Sequence, residues 1–261
     1  MTMYGRGEAK NVTVDRALRV LEAFHGREGA LSLADLSREL NLDKSVIHRI
    51  LATLVRRRFL EQDPVNKGYR VGLRMWELGQ AYISSSPLEE RAASALAEVV
   101  APHPYATGYF STLDRDQAVV IRTVRGPGPI NIYIDPGARL SAANTATGRS
   151  MLAFLPPDDL EELFPQLMKQ RKHHLGETDR SILKGELKEI VDAGYAINKG
   201  GFFPGIGTVA RSIRDARGHP VAALSVDFPT TPETESLWHD LPKELGEAAD
   251  DLEALVRALP D

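Results

Sequence analysis

Four polar residues, Lys44, Ser45, His48 and Arg49, recur at the spacing that brings side chains to one face of a helix. Arginine can read guanine through O6 and N7, whereas a lysine and a serine near a helix start suit phosphates. This set therefore points to nucleic-acid contact. A second set follows at Asp63-Pro64-Val65-Asn66-Lys67-Gly68, a turn whose tip would carry Lys67 toward a phosphate or the minor groove. Enzyme chemistry has little to build on. His103 and the pair His173-His174 stand in the second half of the chain, the pair in a charged stretch read as lying between helices and without an i,i+4 partner for a metal. Gly205-Ile206-Gly207 lacks the strand-then-helix setting of a dinucleotide loop. We expect no catalytic residue, no metal and no cofactor.

The basic residues need a scaffold, and the apolar periodicity supplies one. Val14, Ala17, Leu18, Leu21 and Phe24 mark a first helix. Ser32 stands at an N-cap position with Asp35 three residues on, ahead of Leu33, Leu36 and Leu40. Asn41-Leu42-Asp43 breaks the pattern, and Ile47, Ile50, Leu51 and Leu54 then line a third helix opposite Lys44, Ser45, His48, Arg49 and Thr53. Two helices joined by so short a turn have helix-turn-helix spacing, and the second normally enters the major groove. Phe59–Gln62 and Tyr69–Val71 flank the Lys67 turn as a hairpin, completing a winged helix-turn-helix. Arg56, Arg57 and Arg58 fall at the far end of the third helix, where they complement its dipole.

Charge divides the chain. Residues 1–75 hold 14 Lys or Arg against 9 Asp or Glu; the remainder holds 18 against 27. A basic head on an acidic body fits a DNA-binding module joined to something else. The absence of cysteine removes disulfides, thiolate catalysis and thiolate metal sites. No apolar run approaches the roughly 20 residues of a membrane span, and the start of the chain lacks a signal-peptide core. A cytoplasmic protein without membrane contact is expected. Residues 1–10 read as a disordered lead-in, 11–73 as the winged domain, 74–86 as a linker helix and 87–261 as a second domain. The linker carries Met75, Trp76, Leu78 and Tyr82, an apolar set that suits either a dimer surface or packing on its own domain.

In the second domain helix and strand patterns alternate. Helices are expected at about 88–100, 145–155, 158–170, 180–193 and from 233 onward, the last on the 4-3-4-3-4 repeat of Leu241, Leu245, Ala248, Leu252, Leu255 and Leu259. Strands are expected at 106–112, 118–124, 130–134, 195–198, 208–214 and 221–227. Hairpins plus helices give an α+β domain with an antiparallel sheet.

The stretches VDRALRVLEAF, LSLADLSRELNLDKSVIHRILATL, GYRVGLRMWELG, LSAANTATGRSMLAF and AGYAINKGGFFPGIGTVARSIRDARGHPVAALSV run in the order found in the IclR family of bacterial transcriptional regulators, which the chain resembles over nearly its whole length. The resemblance implies a winged-helix N-terminal domain, a GAF-like C-terminal domain that binds a small effector, and dimers or tetramers. It adds Arg16 and Ser32 as phosphate contacts, with Tyr69 beside Lys67 on the hairpin. It maps an effector pocket onto Asn144-Thr145-Ala146-Thr147-Gly148, where backbone N–H groups at a helix start can hold a carboxylate, onto Asn198 and the loop through Ile206 and Thr208, and onto Ser225 and Asp227. Tyr133, Phe202 and Phe203 extend the walls or serve as core and surface aromatics.

Departures from the family pattern stand at Ser141-Ala142-Ala143, where Pro-Leu-His is common, at Gly207, often Arg, at Thr208, often Cys, at Asp227, commonly Ser or Thr, and at Arg211, usually small. Asp227 would face the pocket and favour a hydroxyl, amine or hydrazide, or else pair with Arg211. An aromatic or hydroxylated acid, or a derivative of one, is the expected effector. The function this implies is a ligand-responsive regulator that binds a near-palindromic double-stranded operator as a homo-oligomer, more commonly as a repressor of a catabolic operon. An activator of the same family and an architectural protein whose second domain only oligomerises are the alternatives.

Overall fold

The computed structural model describes residues 11–27, 29–84, 87–129, 131–175 and 179–258, and for 82–84 and 173–175 the backbone only. The expected lead-in at 1–10 lies outside them. The chain divides into two compact units, Met1–Ser85 and Ser86–Asp261.

The first unit holds α1 (Val12–Glu22), α2 (Leu33–Leu40), α3 (Lys44–Arg56), the hairpin β1 (Leu60–Gln62) and β2 (Tyr69–Val71), and α4 (Leu73–Ser84). Ser32 and Asp35 close the capping box that starts α2. That helix ends on Asn41 in the left-handed region, which turns the chain into α3. Asp43 precedes α3 without a side-chain cap bond. Val20, Phe24, Leu36, Ile47, Leu51, Leu54, Leu60 and Tyr69 form the core. Of the stripe expected on α1, Phe24 is buried and Ala17 and Leu21 pack on the core, while Val14 and Leu18 are both 53% exposed and Val20 and Ala23 are buried beside the stripe. The face of α1 that meets α2 and α3 decides burial here, and period alone leaves its azimuth open. The linker pattern at 74–86 belongs to α4, whose Leu73, Trp76 and Leu78 are exposed rather than packed within their unit.

The second unit is a six-stranded antiparallel sheet in the order β5-β4-β3-β8-β7-β6. Its strands are β3 (Thr107–Asp114), β4 (Gln117–Arg125), β5 (Arg139–Ser141), β6 (Ala196–Lys199), β7 (Ile206–Arg214) and β8 (Pro220–Pro229). Helices α5 (Pro87–Val100) and α9 (Leu237–Ala258) cover one face through Leu96, Val100, Phe110, Val209, Ile213, Leu224, Val226, Phe228, Leu241 and Leu245. Helices α6 (Ala146–Leu152), α7 (Pro157–Leu175) and α8 (Arg180–Ala193) build a second core from Leu152, Phe164, Leu167, Leu183 and Leu187 against Ala196 and Ala210.

Residues directly opposite in antiparallel strands share a face. The register therefore lays Thr107, Asp227, Thr208 and Asn198 in one row across β3, β8, β7 and β6. Tyr109, Ser225, Ala210 and Ala196 form the next row. One side of the sheet is apolar; the other, toward α6, is rich in hydroxyls.

Two expectations change. Residues 131–134 form no strand: the Tyr109 hydroxyl donates to the Ile132 carbonyl at 2.9 Å and the Thr123 hydroxyl to the Ile134 carbonyl at 2.7 Å. Side chains satisfy these groups in place of a ladder. The strand that pairs with β4 is β5. His173-His174 lies within α7, not between helices, and no group of three or more His, Cys, Asp or Glu able to hold a metal occurs among the described residues.

Candidate functional site

On α3, burial of Ile47, Ile50, Leu51 and Leu54 fixes the helix by one face and leaves Lys44, Ser45, His48 and Arg49 exposed on the other. Arg27, Arg38, Arg70 and Arg74 each pair with a carboxylate. Lys44 and Arg49 have no acidic partner among the described residues. Arg16 and Arg49 line one cleft between α1 and α3 together with Thr13, Thr53 and Ile50. Lys67 occupies the hairpin tip with φ of 58°. Asp63 holds that turn by accepting from the Val65 and Asn66 N–H groups at 2.8 and 3.1 Å.

Ser32 and Tyr69, both expected to contact DNA, also serve the fold of their unit. The Ser32 hydroxyl donates to Asp35 at 2.6 Å and its oxygen accepts from the Asp35 N–H at 3.1 Å, so the cap uses it. The Ser32 hydroxyl and, at 3.4 Å, the Ser32 backbone N–H both donate to the Asp35 carboxyl and hold it below its ordinary pKa. Tyr69 is a buried core residue whose hydroxyl accepts from Gln62.

The second unit contains a cavity on the hydroxyl-rich face of its sheet. Tyr109, Ser111, Thr145, Thr147, Asn198, Thr208, Ser225 and Asp227 give it polar walls; Val120, Ile134, Leu140, Phe202, Phe203 and Ile206 give it apolar ones. Counted with the open solvent at its mouth it spans about 440 Å³, of which about 20 Å³ would admit the centre of a water molecule. The rings of Phe202 and Phe203 meet edge to face at 4.7 Å. Asp227 is 6% exposed, and burial pushes its carboxyl up to about 7, against the Thr208 hydroxyl, which pulls it down. Burial raises the Tyr109 phenol as well, with the Asp227 charge beside it.

The structure brings Thr145, Thr147, Asn198, Ile206, Thr208, Ser225 and Asp227 to this cavity from three separate stretches of chain. Asn144, Ala146 and Gly148 do not line it. The Asn144 carbonyl faces Asn198 and Arg149, at 3.1 and 3.2 Å, and the Gly148 N–H is held by the Thr145 hydroxyl oxygen at 3.1 Å. A Cβ at Gly148 would sit 2.2 Å from the Ala142 Cα, so glycine there serves close packing. Tyr109, Ser111, Val120, Ile134 and Leu140 escaped the sequence reading. For Tyr109 and Ser111 the alternation of β3 was the available signal, but it does not say which face meets the cavity.

Residues 80–254 match the model described as bacterial transcriptional regulator IclR C-terminal, and residues 13–64 match the IclR helix-turn-helix domain. The chain belongs to the IclR family of bacterial transcriptional regulators. The regulator BhcR of Paracoccus denitrificans is 28% identical over 217 residues, 83% of this chain and 77% of its own. A glycerol operon regulatory protein of Streptomyces coelicolor is 28% identical over 224 residues, 84% and 85% of the two chains. These relatives are named as regulators and not as enzymes. The fold is shared with an IclR regulator of Alicyclobacillus acidocaldarius (TM-score 0.81, 24% identity, 94% and 99% of the chains). It is shared too with a Microbacterium hydrocarbonoxydans homologue complexed with 4-hydroxybenzoate (TM-score 0.75, 24% identity, 95% and 100%).

Within this IclR-family chain the departures acquire physical reasons. A Cβ at Gly207 would lie 2.5 Å from the Trp238 ring, so Trp238 excludes a side chain there. Ala142 and Ala143 are wholly buried, and the Ser141 hydroxyl donates to Gln170 of α7 at 2.7 Å rather than to the cavity. Arg211 bonds the Gly194 carbonyl and Asp250 at 3.0 and 2.9 Å, so it is not the partner of Asp227. No helix among the described residues is long and apolar enough to cross a membrane.

Proposed function

We propose that this protein is a ligand-responsive, DNA-binding transcriptional regulator, and that occupation of the cavity around Asp227 shifts its affinity for an operator. The observation that carries the reading is the union, in one chain, of a helix-turn-helix with an acid-free basic recognition face and a separate unit with a hydroxyl-lined cavity. Lys44, Ser45, His48, Arg49, Arg16 and Lys67 are the DNA contacts in this reading: Arg49 reads a base edge, and the others position the helix on phosphates. Exposed Val14 and Leu18 on α1 and Leu73, Trp76 and Leu78 on α4 support assembly as a homodimer or tetramer. Two recognition helices then meet a near-palindrome with half-sites about 34 Å apart, or a multiple of it. Repression of a catabolic operon is the sign we favour; one relative is named for the glycerol operon that it regulates. A ligand can act only through its differential affinity for two arrangements of the protein.

Fluorescence anisotropy with the DNA upstream of the protein's own gene tests this. Tight binding that weakens steeply with salt and shifts with one small molecule is the expected outcome. Binding that no compound shifts would remove the effector; failure to bind at all would remove the regulator.

A further inference from the structure

The hydrogen bonds around the cavity specify the chemistry of its ligand beyond its location. The Tyr109 hydroxyl donates to the Ile132 carbonyl at 2.9 Å. The Thr145 hydroxyl donates to the Ser141 carbonyl at 2.8 Å, and its oxygen accepts from the Gly148 N–H. The Thr147 hydroxyl donates to Ser225 at 2.9 Å, and Thr208 stands directly across from Asp227 in the sheet. The Asn198 amide donates to the Asn144 carbonyl at 3.1 Å while its oxygen accepts from the Gly201 N–H at 2.7 Å. Tyr109, Thr145, Thr147 and one Asn198 N–H have thus spent their protons on the protein itself, while the hydroxyls of Ser111, Thr208 and Ser225 keep theirs. Toward the ligand stand those three hydroxyls, the oxygen lone pairs of the spent groups and one carboxylate.

No Lys, Arg or His lines the cavity, and its two titratable groups are Asp227 and Tyr109. A carboxylate ligand needs several donors or a cation, because an anion taken from water must replace its hydration. It would find hydroxyl donors but no cation here, and above neutral pH it would lie beside another carboxylate. A ligand that brings O–H or N–H groups meets acceptors throughout, while its carbon skeleton can rest on Phe202, Phe203, Ile134 and Leu140.

We infer that the effector is a compact molecule that presents hydroxyl or ammonium donors to Asp227 and carries no carboxylate. This replaces the acid expected from family resemblance, and it rests on the reading of the cavity as the effector site. Asp227 is the specificity-determining residue: a serine or threonine in its place would give the cavity a donor, whereas a carboxylate demands one.

The test is calorimetric titration of the full chain with matched probes: benzyl alcohol, benzylamine and benzoate, and glycerol against glycerate, at pH 6 and pH 8.5. An alcohol or amine should bind at least about tenfold tighter than its matched acid at pH 8.5, since a hydrogen bond to a charged group is worth about that much. In the wild type this preference should widen from pH 6 to pH 8.5 as Asp227 ionises. Asp227→Asn should erase most of it. The wild-type pH comparison stands by itself if the variant misfolds. Acids that bind as tightly as their alcohols at pH 8.5, or alcohols and amines that all fail to bind, overturn the inference. Operator binding by the same preparation is measured separately, and its loss would count against the regulator reading instead.

Discussion

Replacing Asp227 by Asn should make the protein more stable, by a margin that grows as pH rises from about 4 to about 7. The folded carboxyl titrates near 7, against an ordinary value of 3.8. Between those values the folded chain keeps a proton that the unfolded chain has released, so stability falls as pH rises through this window and levels off above about 7. The full loss is the difference between the two values times 1.36 kcal/mol, about 4 kcal/mol. Asparagine is neutral throughout, nearly isosteric, and still offers an oxygen to the Thr208 hydroxyl. The variant should therefore gain up to about 4 kcal/mol at pH 8.5 and almost nothing at pH 4. For a unit the size of Ser86–Asp261 that is a Tm rise on the order of 10 °C. Thermal melts from pH 4 to pH 8.5, followed by circular dichroism and by tryptophan fluorescence, measure it. Other carboxylates titrate in both proteins, so the difference between the two curves isolates position 227. Parallel curves, or a variant less stable at pH 8.5, would show that Asp227 is solvated or paired and would refute the burial argument. A stability cost retained at neutral pH is what a binding residue, rather than a packing residue, leaves behind.

Arg49→Ala should weaken operator binding by about 1–3 kcal/mol and relax discrimination at one base step; unchanged affinity and specificity in anisotropy titrations would remove Arg49 from base readout. Lys67→Ala should lower affinity equally for all sequences and reduce the salt slope by about one, whereas a sequence-dependent loss would move Lys67 off the phosphates. Ser32→Ala breaks the capping box at α2 and should cost about 1 kcal/mol in urea unfolding of the DNA-binding unit. A larger loss in DNA affinity than in stability would restore Ser32 as a phosphate contact. Gly148→Ala forces a methyl against the Ala142 backbone and should destabilise the second unit by about 1–3 kcal/mol or more. An unaltered melt would mean that α6 can shift freely.

The first unit was largely legible because its signals are local. A cap at Ser32, a left-handed stop at Asn41 and an apolar stripe on α3 each act within a few residues, and the exposed basic face follows from the buried one. Where the reading slipped, the deciding contact was distant. Val14 and Leu18 have the right period but the wrong azimuth. Tyr69 reads as a wing residue until its pairing with Leu31 seals it into the core. The segment at 131–134 has strand composition, yet side chains from β3 and β4 take its carbonyls.

The cavity divides in the same way. The sequence, through its family resemblance, pointed to three of the segments that meet there and to Asp227 as the unusual residue among them, and left out those carrying Tyr109, Val120 and Leu140. Tertiary structure decided what Asp227 means. Four strands from distant parts of the chain set Asp227 in a row with Thr107, Thr208 and Asn198, and α6 closes over that face of the sheet. Arg211, the one cation the sequence offered it, is drawn off to Gly194 and Asp250. A carboxylate's charge is written in its residue type. Its solvation and the direction of its neighbours' protons are properties of the packed surroundings, and those choose the ligand.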